Sequence, residues 1–222
     1  MMELTLYGYW RSSSSYRVRI ALELKGLAYA YAAVHLLEGG GQQFNEDYRA
    51  KNPSAQVPTL MVSGDGEPFV LAQSVAILEF LDETFPEPAL LPTSPRDRAR
   101  VRQLVEVINS GIQPIANLSV LKYLGRVMQQ DEATRNTWTR HWIATGFEAL
   151  EALLAKTAGR FAFGDEVTLA DCFIVPQVYN ANRFQVDLTP YPNLRRVSAE
   201  AEALPAFQRA RPEVQVDAPG QT

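Results

Sequence analysis

Four consecutive serines, residues 12–15, separate a strand pattern from a helix pattern near the start of the chain. Before them, residues 3–9 form a short run of β-favouring residues. After them, apolar residues spaced for a buried helical face continue to Leu24, and Gly26 is a natural helix stop. Serine is a strong N-cap residue because its hydroxyl accepts a hydrogen bond from a first-turn N–H group. The run therefore predicts a turn from a strand directly into a helix.

The serine run holds more hydroxyls than one helix cap requires. The surplus ones can face outward at a helix N-terminus, where backbone N–H groups favour an anion. Arg11, Arg17 and Arg19 add positive charge to the same stretch. The stretch therefore indicates either a site for a thiolate or carboxylate, or a serine-rich turn in which one residue caps the helix.

Strand and helix patterns continue to alternate through the first part of the chain. Further strands are predicted at 28–34, 57–62 and 69–71, with a short irregular helix at 43–50. Another helix begins at Gln73-Ser74, where Ser74 is expected to be the cap. The predicted order of elements is βαβ followed by ββα.

A proline-rich segment divides the chain into two parts that differ in predicted secondary structure. Residues 86–95 contain four prolines, which is the composition of a linker. From residue 96 to about residue 156 the sequence shows no convincing strand. We therefore predict an α/β domain at 1–85, a linker at 86–95 and an all-helical domain at 96–222.

Within the helical part, long helices are predicted over 96–129 and 131–156. Thr168 and Asp171 have the spacing of a capping box at the start of an apolar helix, which predicts a central helix of this domain. The tail from Pro212 is polar and is expected to be loose.

Composition excludes several classes of function. A net charge of −4 disfavours non-specific binding of nucleic acid. The single cysteine, Cys172, excludes an internal disulfide, and with only two histidines a structural zinc site is disfavoured, so no metal is expected. We expect no signal peptide and no membrane-spanning helix, and hence a cytoplasmic protein.

The segment from Ser12 to Leu22 resembles the signature of zeta-class glutathione transferases, the family that includes maleylacetoacetate isomerase. The family usually has cysteine where this chain has Ser14. The resemblance covers residues 3–212. Other segments that resemble the family are 40–44, 52–53, 56–60, 73–74, 111–114, 117–122, 164–171, 175–178 and 186–192.

The resemblance implies the glutathione transferase fold: a thioredoxin-like α/β N-terminal domain that binds glutathione, followed by an all-α C-terminal domain. In this fold Pro58 is cis and lets the backbone of Val57 pair with the cysteinyl part of glutathione. Gln73 and Ser74 would hold the γ-glutamyl carboxylate, and Gln43 is a candidate for the glycyl end.

The resemblance also implies the catalytic group. Ser12 is the family position whose hydroxyl contacts the glutathione sulfur, and Ser13 and Ser14 lie beside it as further donors. Such donors favour the thiolate over the thiol. Because Ser14 replaces the family cysteine, disulfide-based chemistry is weakened, whereas isomerisation does not need that thiol.

For the substrate, a small dicarboxylate, the candidate ligands are Arg11 and Arg183, since arginine offers a planar bidentate fork. Arg183 matches the family's substrate arginine. Gln113, Asn117 and Ser119 match positions that line the helical side of the family's cleft, where they are candidates for binding either glutathione or the substrate. Arg17 and Arg19 lie further into the helix and are expected to form structural pairs. A homodimer is expected by resemblance.

Three functions stay open at this stage. The first is glutathione-dependent isomerisation of maleylacetoacetate in tyrosine and phenylalanine breakdown, or of the shorter maleylpyruvate. The second is conjugation of glutathione to small electrophiles such as α-halo acids. The third is a non-enzymatic binding module that retains only the fold.

Overall fold

The computed structural model describes residues 2–64 and 66–221 and divides the chain into two compact units. The first unit contains residues 1–89 and 204–222, and the second contains residues 90–203. Residues 204–222, which the sequence predicts to belong to the helical domain, are part of the first unit. Asp65, in the turn expected between the last two strands, lies outside the described residues.

A four-stranded sheet forms the centre of the first unit. Its strands are β1 (Glu3–Gly8), β2 (Ala30–Ala33), β3 (Thr59–Ser63) and β4 (Phe69–Ala72), in the spatial order β2-β1-β3-β4. β1 is parallel to β2 and antiparallel to β3, and β3 is antiparallel to β4. This topology follows from the predicted βαβ and ββα order, because a parallel pair needs a crossover helix between its strands.

The helices alternate with the strands in the first unit and fill the second. Short 3₁₀ turns lie at Glu38–Gly40, Gln42–Phe44 and Pro212–Val214. The α-helices are α1 (Ser13–Leu24), α2 (Glu46–Lys51), α3 (Ser74–Thr84), α4 (Pro95–Glu106), α5 (Leu118–Arg126), α6 (Glu132–Thr157), α7 (Leu169–Arg183), α8 (Pro192–Glu202) and α9 (Pro205–Ala210).

In the second unit, α7 is the central helix. Its residues 169–178 are all buried, including Cys172, and α7 packs against α4 and α8. The predicted capping box is present: the Thr168 side chain and the Asp171 side chain each bond the backbone of the other. The helix predicted over 96–129 is instead α4, a π-helical turn at Val107–Ile112, and α5.

The prediction of a loose tail after Pro212 is wrong. Pro212, Gln215 and Ala218 are buried, and the Gln215 amide donates to the carbonyls of Arg209 and Arg211 at 3.1 and 2.8 Å. The polar residues that suggested a loose tail are therefore used for hydrogen bonds within the first unit. Of the residues in 2–64 and 66–221, none belongs to a helix with the length and apolar character needed to span a bilayer.

Candidate active site

Some hydroxyls of the serine run accept hydrogen bonds from the backbone, and others are available to an anion. Ser12 is the N-cap of α1, and its Oγ accepts a hydrogen bond from the Ser15 N–H at 3.2 Å. Ser15 is fully buried and its Oγ accepts from the Tyr9 N–H at 3.4 Å. Ser13 is buried and Ser14 is half-buried. Because the Ser12 oxygen accepts from the helix, its hydroxyl hydrogen stays available for an anion in front of the helix.

The three arginines of this stretch differ in their surroundings. Arg11 is half-buried, with its guanidinium 5.2 Å from the centre of the Trp10 ring. Arg19 is fully buried and donates to the carbonyls of Trp10 at 2.9 Å and Ala210 at 3.0 Å. Burial lowers the pKa of Arg19, against the opposing effect of nearby tyrosines and Asp217. Arg19 is therefore structural, as expected, although its hydrogen-bond partners are backbone carbonyls.

The start of α3 is a second candidate anion site. The prediction that Ser74 caps this helix is wrong: Gln73 is the N-cap residue and its side chain makes no capping bond. Ser74 is the first helical residue, is 4% exposed, and its Oγ accepts from Nη1 of the buried Arg17 at 3.1 Å. The oxygen is thus occupied by a cation, which leaves the hydroxyl hydrogen to donate at the helix N-terminus.

Gln73 has a backbone φ of 73°, which a residue with a side chain seldom adopts. Strained residues of this kind cluster at functional sites, where neighbouring structure holds them in place. Glutamine does not favour positive φ, so the sequence carries no local signal for this conformation.

Arg17, for which the sequence predicts only a structural role, is one of the residues near this candidate anion site. Its contact with Ser74, a residue 57 positions away, joins α1 to the start of α3. A signal was present in the sequence, because Arg17 lies beside the apolar residues that face the core. A cation at such a position requires a polar partner inside the protein.

The peptide bond between Val57 and Pro58 is cis, which confirms the expectation for this proline. Pro58 is buried and Val57 is half-buried, directly before β3. The Asn52 side-chain amide donates to the Gln56 carbonyl at 2.8 Å, which fixes the segment before Val57. Gln43 is 4% exposed, and its amide lies 3.5 Å from the Leu36 carbonyl.

The remaining candidates lie in the second unit. Gln113 is half-buried at the end of the π-helical turn. Asn117 is the N-cap of α5 and accepts from the N–H and the hydroxyl of Ser119 at 3.0 and 3.2 Å, so these two side chains bind each other. Arg183 is exposed at the last residue of α7, with its guanidinium 4.9 Å from the centre of the Phe184 ring.

Comparison with known proteins defines the class of protein. The family model of the glutathione S-transferase N-terminal domain matches residues 11–84, and that of the C-terminal domain matches residues 134–200. Mouse (Mus musculus) maleylacetoacetate isomerase is 48% identical over 216 residues, which are 97% of this chain and 95% of the relative.

Solved structures of isomerases are also similar to this chain over nearly its whole length. The crystal structure of maleylacetoacetate isomerase from Anaeromyxobacter dehalogenans 2CP-1, with GSH bound in the active site, has a TM-score of 0.89 and 53% identity, covering 98% of this chain and 99% of that one. A second crystal structure of that isomerase, with bound dicarboxyethyl glutathione and citrate, has a TM-score of 0.88 and 51% identity, with 98% of each chain covered.

A bacterial maleylpyruvate isomerase, described as a zeta-class glutathione S-transferase, has a TM-score of 0.90 and 49% identity over 96% of this chain and 99% of that one. The chain therefore belongs to the glutathione transferase family, and within it to the zeta class that includes the maleylacetoacetate isomerases.

Proposed function

We propose that this protein is a glutathione-dependent cis–trans isomerase that converts maleylacetoacetate into fumarylacetoacetate in tyrosine and phenylalanine breakdown. The observation that carries the proposal is the serine-capped N-terminus of α1, in a chain that matches nearly the whole length of isomerases crystallised with GSH. Glutathione is the cofactor, and it is regenerated in each cycle.

The serines would keep the glutathione sulfur ionised. A free thiol has a pKa of ~8.5, so only a few per cent of it is thiolate at neutral pH. A hydroxyl donor and a helix N-terminus both favour the charged form. We assign Ser12 as the principal donor, with Ser13 and Ser14 beside it.

Contacts elsewhere in the first unit would hold the rest of the tripeptide. The backbone of Val57, before the cis Pro58, pairs with the cysteinyl part as an added strand. Gln73 and Ser74 hold the γ-glutamyl carboxylate, and the Arg17–Ser74 contact supports this assignment because it turns the Ser74 hydroxyl into a donor. Gln43 is assigned to the glycyl end.

The reaction needs no change of redox state. The thiolate adds to one carbon of the cis double bond, and the electron pair of that bond moves into an enolate. Rotation about the resulting single bond and expulsion of the thiolate leave the trans product. Dicarboxyethyl glutathione, bound in the Anaeromyxobacter isomerase, contains a carbon–sulfur bond of this type between glutathione and a diacid.

Arginines are the groups we assign to the substrate carboxylates and the developing enolate. Arg11 and Arg183 take this role because they are partly or largely exposed cations, unlike Arg17 and Arg19. Gln113, Asn117 and Ser119 are assigned to the helical side of the cleft, as ligands of either glutathione or the substrate. Gln113 is the strongest of these three, since Asn117 and Ser119 already bind each other.

The test of this function is to incubate the protein and glutathione with maleylacetoacetate, with maleylpyruvate and with an α-halo acid. We expect rapid loss of the cis-acid absorbance without net consumption of glutathione. Faster turnover of maleylpyruvate would assign the shorter acid as substrate, which is the second candidate because the chain is 49% identical to a maleylpyruvate isomerase. A glutathione conjugate formed from the halo acid, with neither acid isomerised, would establish the transferase instead.

Replacing Gln73 with glycine should separate stability from binding. Glycine adopts positive φ freely, so the substitution should raise the free energy of unfolding by about 1 kcal/mol. The same substitution removes a proposed glutathione ligand, so calorimetry should show several-fold weaker glutathione binding. Gln129→Gly is the control, because Gln129 has a φ of 54° and is exposed. It should stabilise the fold and leave glutathione affinity unchanged.

Replacing Arg183 with methionine should raise KM for the diacid about 10-fold or more, because a charge-assisted bidentate contact is lost. The KM for glutathione should not change. Arg126→Met is the matched control, since Arg126 is also an exposed cation in the last turn of a helix. Equal effects of the two substitutions on diacid KM would remove Arg183 from the substrate site.

The family resemblance further supports a homodimer, which sedimentation can test. A cytoplasmic location fits the chemistry, because the reaction needs glutathione in its reduced form.

A further inference from the structure

The backbone N–H and the backbone carbonyl of Trp10, two residues before Ser12, each bond a charged side chain. Its N–H donates to Oδ2 of Asp217 at 2.9 Å, across a separation of 207 residues. Its carbonyl accepts from Nη2 of the buried Arg19 at 2.9 Å. Hydrogen bonds in which one partner is ionised are shorter and stronger than neutral ones. The turn that leads into the serine run is therefore fixed by two ionic groups.

Asp217 is itself held in a shielded environment. The Tyr31 hydroxyl donates to the same Oδ2 at 3.3 Å, and the other carboxylate oxygen, Oδ1, is shielded from solvent. Burial raises the pKa of Tyr31 well above its ordinary range, so Tyr31 stays a donor at neutral pH; Arg19 opposes this rise and Asp217 adds to it. The Arg19 cation also attracts the Asp217 carboxylate.

The C-terminal segment, residues 211–221, is folded so that it delivers Asp217 to this position. The Arg19 guanidinium binds the Ala210 carbonyl, where the segment begins. The Gln215 amide then binds two carbonyls of α9 and its end, and the Ala218 N–H returns to the Gln215 carbonyl at 2.9 Å. Asp217 lies between these two anchored residues.

The anchored peptide is directly coupled to the serine run. The Ser12 N–H donates to the Tyr9 carbonyl at 3.0 Å, so Tyr9 to Ser12 form one hydrogen-bonded turn with Trp10 inside it. A shift of the Trp10 backbone is expected to move Ser12, because only Arg11 separates them. The Ser12 hydroxyl is thus placed from one side by α1 and from the other by the C-terminal segment.

We propose that Asp217 is a positioning residue for the glutathione thiolate, acting through the Trp10 peptide on the Ser12 hydroxyl. The inference rests on the proposed function, since it assumes that Ser12 contacts the sulfur. It adds a role for a segment that lies outside both matched domain models, because residues 211–221 follow the end of the second match at residue 200.

Asp217→Ala tests the proposal. Bound glutathione should show a raised thiol pKa, measured from the ultraviolet absorbance of the thiolate as pH is varied. The kcat of the isomerisation should fall about 10- to 100-fold, because a small displacement of a catalytic group has effects of this size. KM for glutathione should change little, since its peptide contacts lie elsewhere. Asp217→Asn retains an acceptor oxygen for the Trp10 N–H and should restore much of kcat.

Val216→Ala is the matched control, since Val216 is the preceding residue and its side chain is 70% exposed. It should leave both the thiol pKa and kcat unchanged. If Asp217→Ala and Asp217→Asn lower only the melting temperature, and the thiol pKa stays at the wild-type value, Asp217 is structural and the proposal is wrong. If the wild-type protein itself binds no glutathione, the proposed function fails first, which is a distinguishable result.

Discussion

Replacement of Ser12 with alanine is expected to lower kcat/KM for the isomerisation about 10²-fold or more. The reason is electrostatic: the Ser12 hydroxyl is the assigned donor to the glutathione sulfur, and removal of one such donor from a preorganised site has effects of this size. Steady-state kinetics with glutathione and the cis diacid measure the effect. The thiol pKa of bound glutathione should rise in the same variant.

The same substitution also removes a helix cap, because Ser12 Oγ accepts from the Ser15 N–H. Loss of a serine cap destabilises a protein by ~1 kcal/mol, which must be separated from loss of catalysis. Ser94→Ala is the matched control, since Ser94 caps α4 by accepting from the Asp97 N–H at 3.4 Å. It should reduce stability by a similar amount and leave turnover unchanged.

Ser12→Thr should restore most of the activity, because threonine retains both the hydroxyl and the ability to cap. An unchanged rate in Ser12→Ala would instead transfer the sulfur contact to Ser13 or Ser14. Comparing the turnover of alanine variants of Ser12, Ser13 and Ser14 therefore identifies the residue that contacts the sulfur.

Local signals explain why much of the fold could be predicted from the sequence. The turn from strand to helix at the serine run and the sequence order of strands and helices in the first unit depend on residues that are close together in the chain. The capping box of Thr168 and Asp171 spans four residues and could be predicted for the same reason. The cis form of Pro58 came from family resemblance, since nothing local distinguishes it from a proline that starts an edge strand.

Contacts between distant residues account for what the sequence did not reveal. The Arg17–Ser74 contact joins residues 57 apart, and the Trp10–Asp217 contact joins residues 207 apart. No periodicity or spacing rule links such pairs. The polar tail was misjudged because its hydrogen-bond partners lie on other parts of the first unit. The cap of α3 was misplaced by one residue, because glutamine at positive φ contradicts the usual preference of side chains.

The residues of the candidate site also fall into two groups, according to whether contacts in the structure or family resemblance support their roles. The residues of the first unit are supported by contacts that make chemical sense of them, such as the available hydrogens of Ser12 and Ser74. For Gln113, Asn117, Ser119 and Arg183, the roles depend on resemblance, because a substrate contact cannot be read from their hydrogen bonds within the second unit.

The largest effect on stability is expected at Asp171. This carboxylate is 1% exposed; Oδ1 accepts from the Ala162 N–H at 2.9 Å, and Oδ2 accepts from the Thr168 N–H at 2.9 Å and the Thr168 hydroxyl at 3.2 Å. Asp171→Ala leaves two buried N–H groups without their acceptor, so the free energy of unfolding should fall by about 3–5 kcal/mol. Denaturant titration of the wild type and variant measures the difference.

Asp131→Ala is the control for loss of an aspartate cap. Asp131 is exposed and accepts only from the first turn of α6, through the Thr134 N–H at 2.8 Å. Its replacement should have a much smaller effect than that of Asp171, because water can satisfy the freed N–H group. Equal losses in the two variants would contradict the importance of burial at Asp171.

The pH dependence of stability gives an independent check. Burial raises the pKa of Asp171 to about 6, although hydrogen bonds from Thr168 and Ala162 oppose the rise. The folded protein therefore retains this proton between about pH 4 and 6, where the unfolded chain has released it. The resulting stabilisation is fully present below about pH 4 and is lost as pH rises through 6.

Asp171→Asn isolates this contribution, because it cannot titrate at position 171 and shares every other ionisable group with the wild type. The stability advantage of the wild type over Asp171→Asn should shrink by roughly 2–3 kcal/mol between pH 4 and pH 7. An advantage that is constant or grows with pH would mean that the hydrogen bonds to the carboxylate outweigh its burial. The sign of this single difference therefore decides whether desolvation or hydrogen bonding dominates at the start of α7.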